Sequence, residues 1–367
     1  MISLNTIALK EALSKVNKCA KNDKTAPLTQ LLNIKTSNTN CITFTTTDER
    51  NIFSYTLKDE TQQFENIDVC VLVEQISKLV SKFTSAKTDL YISETGNELK
   101  LRGDGTYTIS IPIDAQGQPI KYPDYVAGEP ITDCYTGSIS SILNAAKYCE
   151  GSITKLTYDI QVEDYPRTNY FIGSKVIALD GFLATMVEGD FLPFNTLVSP
   201  VTLKLLANFT DDSFKAYKTK NYNVFECSNC RLLTVEPEGL DAYPLEVAEQ
   251  TINHISGNAV DISAGVLVSA LNRLSLFTDQ KIDNCIKLKF NSNGVFAYTV
   301  NESCVEQICA EPQNDEFECY INASSFLSLL KAYGADVITL YYGDEQALKI
   351  EFNEVSQIIV LSELGDN

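Results

Sequence analysis

Apolar residues recur at the spacing of an amphipathic helix in six segments of the chain. In the first segment, Leu9, Leu13, Val16 and Ala20 form one stripe, and polar residues fill most positions between them. Similar stripes follow along the chain. The pattern therefore predicts six helices, over residues 6–20, 71–83, 138–148, 200–209, 264–277 and 323–333.

Between the helical segments, apolar residues alternate with polar ones, which is typical of half-buried strands. Turn residues separate these segments, as at 95–97 and 291–294. The alternation is clearest in five segments, at residues 43–47, 99–102, 107–111, 286–290 and 348–352.

The helices come in pairs, and this pairing indicates an internal repeat. Successive helices begin about 60 to 70 residues apart, and every second helix begins about 125 to 130 residues after its counterpart. Turn-forming residues cluster near 122–130 and 250–258. We therefore expect an α+β protein of three repeated domains, each with two helices on antiparallel sheet, over residues 1–127, 128–253 and 254–367.

The composition is that of an ordinary soluble protein with a large acidic surplus. The 367 residues are 44% hydrophobic and 21% charged, and the formal net charge is -19. No apolar run is long enough to cross a bilayer, and the N-terminus lacks the pattern of a signal peptide. We therefore expect a cytoplasmic protein without a membrane partner, whose eleven cysteines are reduced.

Lysines are concentrated in the predicted helices, whereas the surplus acids lie in strands and turns. The densest group lies in the first helix and the loop after it: Lys10, Lys15, Lys18, Lys21 and Lys24. If the helices share one face of the sheet, that face is positive inside an acidic shell. Such a lining suits a ring that surrounds a polyanion through nonspecific phosphate contacts. The alternative is a solvated helix face whose lysines only aid solubility.

The sequence offers little for catalysis or metal binding. It contains one histidine, His254, and neither a phosphate-binding loop nor a nucleophile paired with a base. Two residues separate Cys227 from Cys230, but no second pair of ligands completes a zinc site. The flanking segments predict a hairpin in which the two thiols face each other as bystanders. We expect no catalytic residue, metal or cofactor, and a thiol redox protein is the alternative.

Short segments in all three predicted domains follow the pattern of one family. They are residues 25–32, 45–48 and 99–103 in the first domain, 178–184 in the second and 273–281 in the third. In these segments, in its length and in its repeat, the chain resembles the bacterial DNA polymerase sliding clamp, the β subunit of the replicative DNA polymerase III. The resemblance implies a DNA polymerase processivity factor, a homodimeric ring that encircles duplex DNA without sequence preference and tethers the polymerase.

The resemblance also implies where two subunits meet. The first domain of one subunit meets the third domain of the other, which pairs Tyr107 and Ile109 on an edge strand with Leu276 and Phe277 at a helix end. An alternating apolar edge strand is open to pairing, and a closed ring removes such edges. The alternative is that these side chains belong to the cores of their own domains.

In the family, the polymerase, the clamp loader and other partners insert a short linear peptide into an apolar pocket between the second and third domains. The matching positions are Leu179, Gly181, Leu183, Val247, Ile282, Leu348, Ile359, Val360 and Leu361. The chain departs from the family here, because only Phe182 separates Gly181 from Leu183 and the expected arginine is missing. A clamp-like scaffold or decoy with an altered partner pocket is therefore a second interpretation.

For DNA, the resemblance places Lys24 at a basic contact position and Tyr158 near an aromatic one. At the start of the fourth helix, Pro200 and Val201 replace the expected basic pair, so contact is expected to rest more on the first helix. Together with the helix lysines, the predicted DNA-binding residues are Lys10, Lys15, Lys21, Lys24, Lys82 and Tyr158.

Overall fold

The helices form in the predicted order in a computed structural model that describes residues 1–37, 40–61, 63–278 and 284–363. They are α1 (Thr6–Val16), α2 (Val73–Ser81), α3 (Ile139–Cys149), α4 (Pro200–Leu206), α5 (Leu245–His254), α6 (Ala264–Leu274) and α7 (Ala323–Leu330). Helix α5 was not predicted. Its buried residues are Ala248 and Ile252, and the polar residues between them make the helical spacing hard to recognise in the sequence.

The strands confirm the predicted alternating segments, each of which lies in or largely overlaps a strand. In the first third of the chain they are β1 (Ile2–Asn5), β2 (Leu31–Ser37), β3 (Cys41–Thr47), β4 (Asn51–Lys58), β5 (Asp68–Leu72), β6 (Lys87–Ile92), β7 (Glu98–Arg102) and β8 (Thr106–Ser110). In the second they are β9 (Tyr135–Ser138), β10 (Tyr170–Ile172), β11 (Lys175–Leu179), β12 (Leu183–Glu188), β13 (Thr196–Val198), β14 (Ser213–Lys218), β15 (Asn223–Glu226) and β16 (Cys230–Thr234). In the last they are β17 (Asn258–Ser263), β18 (Cys285–Asn291), β19 (Gly294–Thr299), β20 (Val305–Cys309), β21 (Phe317–Asn322), β22 (Val337–Tyr342), β23 (Ala347–Phe352) and β24 (Val355–Val360).

The order of elements repeats three times. Each repeat has one strand, a helix, four strands, a second helix and three strands, so the helix pairs are α1 with α2, α3 with α4, and α6 with α7. Helix α5 links the second repeat to the third. This order confirms the α+β class and the threefold repeat. The domain boundaries proposed from sequence lie between the repeats and stay a prediction.

All strand pairing is antiparallel, and the contacts group the chain into two compact units. Unit 1 comprises Met1–Ile139 and Val201–Glu236, and it holds the sheets β5-β2-β3-β4-β16-β15-β14-β9 and β1-β6-β7-β8. Unit 2 comprises Ser140–Pro200 and Pro237–Asn367, and it holds the sheets β13-β10-β11-β12-β24-β23-β22-β17 and β20-β19-β18-β21. The second repeat is divided between the units because each eight-stranded sheet joins strands of two repeats.

Helix α1 begins where its sequence predicts and ends earlier. The side chain of Asn5 caps it by accepting hydrogen bonds from the N–H groups of Ile7 (2.9 Å) and Ala8 (3.1 Å). The stripe residues Leu9, Leu13 and Val16 are buried, but the helix stops at Val16 rather than near residue 20. A tight turn follows, in which the thiol of buried Cys19 bonds the carbonyl oxygen of Asn51 at 3.4 Å.

Helix α5 lies on one face of the large sheet of unit 2. Its buried residues Ala248 and Ile252 pack with Tyr243, Leu179 and Ile358 in one apolar cluster. The hydroxyl of Tyr243 donates to the carbonyl oxygen of Ile177 at 3.1 Å, which satisfies the polar end of this buried ring. The face of the sheet beneath α5 is therefore filled by the protein itself.

Candidate functional site

The same pattern of strand pairing builds both eight-stranded sheets. In each repeat, strands two to five form one four-stranded block, the A block, and strands one and six to eight form another, the B block. Strand β4, at the edge of the first A block, pairs with β16, at the edge of the second B block. Strand β12, at the edge of the second A block, pairs with β24, at the edge of the third B block. Each joint contains five residue pairs.

Each joint uses the fourth strand of one repeat, in its A block, and the last strand of another repeat, in its B block. Within the described strands, one A edge and one B edge of this kind remain without a partner strand. They are β20, the edge of the third A block, and β8, the edge of the first B block. Each strand has five residues, which matches the length of the closed joints. The repeat thus leaves one unpaired A edge and one unpaired B edge on the same chain.

Strand β8 turns part of its main chain outward. The N–H of Ile111 donates to the carbonyl oxygen of Asn97 at 2.9 Å, and antiparallel hydrogen bonding alternates along the strand. The N–H of Thr108 therefore points away from β7. The ring of Tyr107 stacks on Phe83 with centroids 5.2 Å apart and is partly exposed, whereas Ile109 is buried. Of the two predicted interface residues on β8, only Tyr107 offers its side chain; Ile109 is buried, and its main-chain groups face β7 as those of Ile111 do.

The open edge of unit 2 carries exposed apolar side chains beside it. Helix α6 packs on β20 and continues into a short 3₁₀ helix, where Leu276 is 80% exposed and Phe277 is 60% exposed. Arg273 on α6 bonds Glu306 on β20 at 2.8 Å from Nε to Oε1, and this bond holds the pKa of Glu306 below its usual value. Val305 on β20 is also exposed. Sequence reasoning missed Val305, although its outward position in an alternating segment was a usable signal.

Two of the predicted DNA-binding lysines donate to main-chain carbonyl groups just beyond helix ends, and a third, Lys21, donates to the carbonyl oxygen of Asp48 at 3.4 Å. The ammonium of Lys10 donates to the oxygen of Phe83 at 2.6 Å, just beyond the end of α2. The ammonium of Lys15 donates to the oxygen of Asn208 at 2.6 Å, just beyond the end of α4. Carbonyl groups at helix ends lack partners inside the helix, so these lysines have a structural role in unit 1.

The other predicted lysines are more accessible. Lys24 and Lys82 are exposed, and Lys82 follows directly after α2. Lys21 is exposed and lies 3.7 Å from Asp48, at the limit of an ion pair. In unit 2, Tyr158 is fully exposed.

The predicted peptide-pocket residues are divided over two faces of the large sheet of unit 2. Leu183 pairs with Ile359, which pairs with Leu348, so these three buried side chains form one row on one face. Leu179 pairs with Ala184 on the opposite face, which α5 covers. Successive residues of a strand point to opposite faces, so the two groups lie on opposite sides of the sheet, and their place in one pocket stays a prediction.

The remaining pocket positions lie at the margins of these faces. Val247 on α5 is 64% exposed, and Val360 is partly exposed. The N–H of Leu361 donates to the carbonyl oxygen of Gln346 at 2.8 Å, which ties it to the turn before β23. Ile282 lies outside the described residues.

A tight turn joins β11 to β12 at Asp180 and Gly181. The carboxylate of Asp180 accepts hydrogen bonds from the N–H groups of Phe182 (2.9 Å) and Leu183 (2.8 Å), and Gly181 has a φ of +99°, which a residue with a side chain rarely adopts. The ring of Phe182 is exposed at the rim of a groove of about 670 Å³, whose other wall includes Ser324 and Ser328. Sequence reasoning did not assign Phe182 to a site.

A second groove of about 1340 Å³ lies on the side of the sheet that α5 covers. Val360 and Leu361 line it, together with the last turn of α5. The N–H of Ser362 donates to the carbonyl oxygen of Tyr320 at 2.8 Å, so the chain after β24 runs along the edge strand β21. Apolar residues predicted for one pocket therefore border two grooves.

The predicted hairpin at Cys227 and Cys230 is confirmed. Strands β15 and β16 flank the turn, and the N–H of Cys227 donates to the carbonyl oxygen of Cys230 at 2.9 Å. Among the described residues, no group of three or more histidine, cysteine, aspartate or glutamate side chains is placed to hold a metal ion. In the same part of the chain, every helix is too short or too polar to cross a membrane.

Comparison with solved structures identifies the fold. The chain matches a DNA polymerase sliding clamp from Pseudomonas aeruginosa with a TM-score of 0.83 at 14% identity, over 99% of each chain. It matches a sliding clamp from Bartonella birtlesii bound to griselimycin with a TM-score of 0.82 at 13% identity, over 99% of each chain. It matches the DNA polymerase III beta chain from Streptococcus pneumoniae with a TM-score of 0.81 at 15% identity, over 98% of this chain and 99% of that chain.

No protein-family model and no curated protein sequence matches the chain. The likeness therefore lies in the order, pairing and packing of the elements along nearly the whole length. The chain has the fold of the bacterial DNA polymerase sliding clamps.

Proposed function

We propose that the chain is a noncatalytic processivity factor, which forms a homodimeric ring around duplex DNA and tethers a DNA polymerase in the cytoplasm. The observation that carries the proposal is the pair of open, complementary edges. An A edge and a B edge on one chain make a head-to-tail contact, and such contacts produce either a closed ring or an open filament. The fold shared with sliding clamps favours the ring.

In the proposed dimer, β20 of each subunit pairs with β8 of its partner. The five residues of each strand pair with those of the other and continue the ladder, as β4 does with β16 and β12 with β24. Leu276 and Phe277 then lose their exposed surface against the side of the partner that carries Tyr107. Burial of apolar surface contributes about 25 cal/mol per Å², and the aromatic and leucine side chains at this edge supply most of it.

Contact with DNA is assigned to exposed lysines that precede or follow helices. Lys21, Lys24 and Lys82 can reach phosphate groups without breaking a structural hydrogen bond of a helix end. The ammonium groups of Lys10 and Lys15 each donate a hydrogen bond to a carbonyl oxygen, so these lysines act mainly through the field they produce. Sequence-independent phosphate contacts suit a ring that must slide.

Partner peptides are assigned to the groove at Phe182 and to the groove at Val360 and Leu361. An extended peptide gains affinity from main-chain bonds and specificity from apolar side chains in such grooves. The clamp from Bartonella birtlesii binds griselimycin, which shows that a chain of this fold can take a compact ligand. Polymerase and clamp loader are the partners that we infer.

The buried row of Leu183, Leu348 and Ile359 favours a second candidate. These residues match a pocket of the family in sequence, but their side chains are buried, although Leu183 also borders the groove at Phe182. A clamp-like scaffold or decoy, which encircles DNA without holding a polymerase, is consistent with this change. Calorimetry with a clamp-motif peptide separates the two, because absence of binding to an intact dimer favours the scaffold.

Retention on end-blocked DNA tests the proposed topological mechanism. The protein is incubated with a linear duplex, both ends are then blocked with a bulky protein, and salt is raised. We expect a fraction that stays bound in high salt and is released when the duplex is cut, since a ring can leave only over an end. Equal loss from blocked and open duplexes would overturn the proposal.

A further inference from the structure

The turn between β15 and β16 carries two thiols that are placed to form a bond with each other. Cys227 and Cys230 flank a two-residue turn, and the N–H of Cys227 donates to the carbonyl oxygen of Cys230 at 2.9 Å. Hydrogen-bonded antiparallel pairs have Cα atoms about 5.5 Å apart, which lies within the range of about 4.4 to 6.8 Å that a disulfide requires. No large movement of the backbone is therefore needed.

The two thiols differ in exposure and in their hydrogen bonds. Cys227 is partly exposed, whereas Cys230 is buried. The thiol of Cys230 donates to the sulfur of Cys227, and the hydroxyl of Thr210 lies 3.6 Å from the same sulfur. These hydrogen bonds, chiefly that from Cys230, lower the pKa of Cys227 to about 5. The same bond, together with burial, raises the pKa of Cys230.

Other cysteines of the chain lack this arrangement. Burial raises the pKa of Cys19 to about 12 and that of Cys70 to about 11, so these thiols stay protonated and inaccessible. A partly exposed thiolate beside a buried thiol is the arrangement in which the first sulfur attacks and the second resolves.

The pair also lies at the end of a closed joint between repeats. Cys230 pairs with Tyr55 across β16 and β4, and the N–H of Thr56 donates to the carbonyl oxygen of Asn229 at 2.9 Å. The charged groups that face the pair are Lys15 from α1, Glu11 through Tyr55, and Asp211, which accepts from the N–H of Ser228 at 3.1 Å. The turn is thus held from three sides, and Cys227 on it is partly exposed.

We propose that Cys227 is a thiol modification site for low-molecular-weight disulfides, and that Cys230 resolves the modification by closing a disulfide across the turn. The thiolate of Cys227 attacks one sulfur of the small disulfide, the sulfur–sulfur bond of that disulfide breaks, and a mixed disulfide forms. The first small thiol leaves as a thiolate and takes a proton from water. Cys230 then attacks the sulfur of Cys227, the protein disulfide forms, and the second small thiol leaves with the proton from Cys230. Two protein thiols are oxidised and one small disulfide is reduced to two thiols.

Incubation of the full-length protein with oxidised glutathione tests the proposal. We expect the native protein to lose the mass of two hydrogen atoms, with Cys227 and Cys230 linked in the peptide map. Cys230→Ser removes the resolving thiol, so one glutathionyl group should accumulate on Cys227. Cys134→Ser is the matched control, because Cys134 is exposed and belongs to no pair, and its substitution should leave the linked product unchanged.

If a variant fails to fold, a labelling experiment on the native protein alone still tests the proposal. Under native conditions at about pH 6, iodoacetamide should label Cys227 about tenfold faster than it labels free glutathione, since the larger thiolate fraction outweighs the lower nucleophilicity. Glutathionylation of Cys134 without modification of Cys227 would overturn the proposal. So would labelling of Cys227 no faster than that of free glutathione.

Discussion

The closed joints and the open edges of this chain are built from the same kind of strand but differ in what covers them. At the closed joint of unit 2, Ile359 pairs with Leu183 on one side and with Leu348 on the other, and all three are buried. At the open edges, Tyr107 and Leu276 keep exposed surface. The difference shows that a four-stranded block buries its apolar edge only when it is joined to a second block. An edge that lacks its partner leaves apolar surface unpaired.

The largest effect is expected from the closed joint. Ile359→Ala removes a buried side chain from the row that crosses three strands, and we expect the free energy of unfolding to fall by about 2 to 5 kcal/mol. Chemical denaturation measures this change. Val360→Ala is the matched control at the next position, and it should cost less than about 1 kcal/mol because Val360 is partly exposed. Equal costs would mean that Ile359 lines an open pocket instead.

A substitution on the open edge strand β8 should change the dimer dissociation constant rather than the free energy of unfolding. Thr108→Pro removes an N–H that points away from β7, so unfolding should change little while dimer dissociation rises about a hundredfold or more. Sedimentation over a concentration series measures the dissociation constant.

Thr136→Pro provides the control for this edge. It lies on the edge strand β9, where the bond from the N–H of Ile139 to the oxygen of Asp212 (2.8 Å) sets the same outward direction for Thr136. We expect no change in dimer dissociation, because β9 is not one of the complementary edges. A similar weakening by both prolines would indicate a general effect on the sheets.

Lysine substitutions test whether the proposed ring binds DNA through its exposed lysines. Changing Lys21, Lys24 and Lys82 to Glu should weaken DNA binding about tenfold in low salt and reduce the slope of log affinity against log salt by about 2 to 3. The control changes three exposed lysines elsewhere in unit 1 to Glu: Lys58, Lys87 and Lys121. Equal effects in both sets would mean that Lys21, Lys24 and Lys82 serve only solubility. Dimer mass should be unchanged in both.

The smallest effect concerns the turn at the end of the joint between β4 and β16. Because the pKa of Cys227 lies near 5, its thiolate is fully formed above about pH 6. Its labelling rate should therefore be nearly constant from about pH 6 to pH 8, whereas an ordinary thiol gains rate over that whole range. A rate that climbs steadily to about pH 9 would contradict the lowered pKa.

The sequence predicted the repeat well because each helix and strand carries its own periodicity. Leu9, Leu13 and Val16 point into the core of unit 1 as their spacing requires. The end of α1 was placed too late, because the burial of Cys19 and the turn at Asn17 depend on contacts with β3 and β4 that are distant in sequence.

The candidate sites were harder to predict because they depend on register and on long-range contacts. Leu179 and Leu183 are four residues apart in a segment that resembles one family motif, yet a tight turn at Gly181 sends them to opposite faces of the sheet. Lys15 belongs to a basic helix by its sequence, but a carbonyl group 193 residues away accepts its hydrogen bond. Neither fact is encoded in a local pattern.

The mass and shape of the protein in solution test the central claim most directly. At micromolar concentration we expect twice the mass of one chain, and electron micrographs should show closed rings. The account also predicts that Thr108→Pro shifts this population toward single chains. A protein that stays a monomer at micromolar concentration, or that assembles into open filaments, would contradict the proposal that β8 and β20 close a dimer.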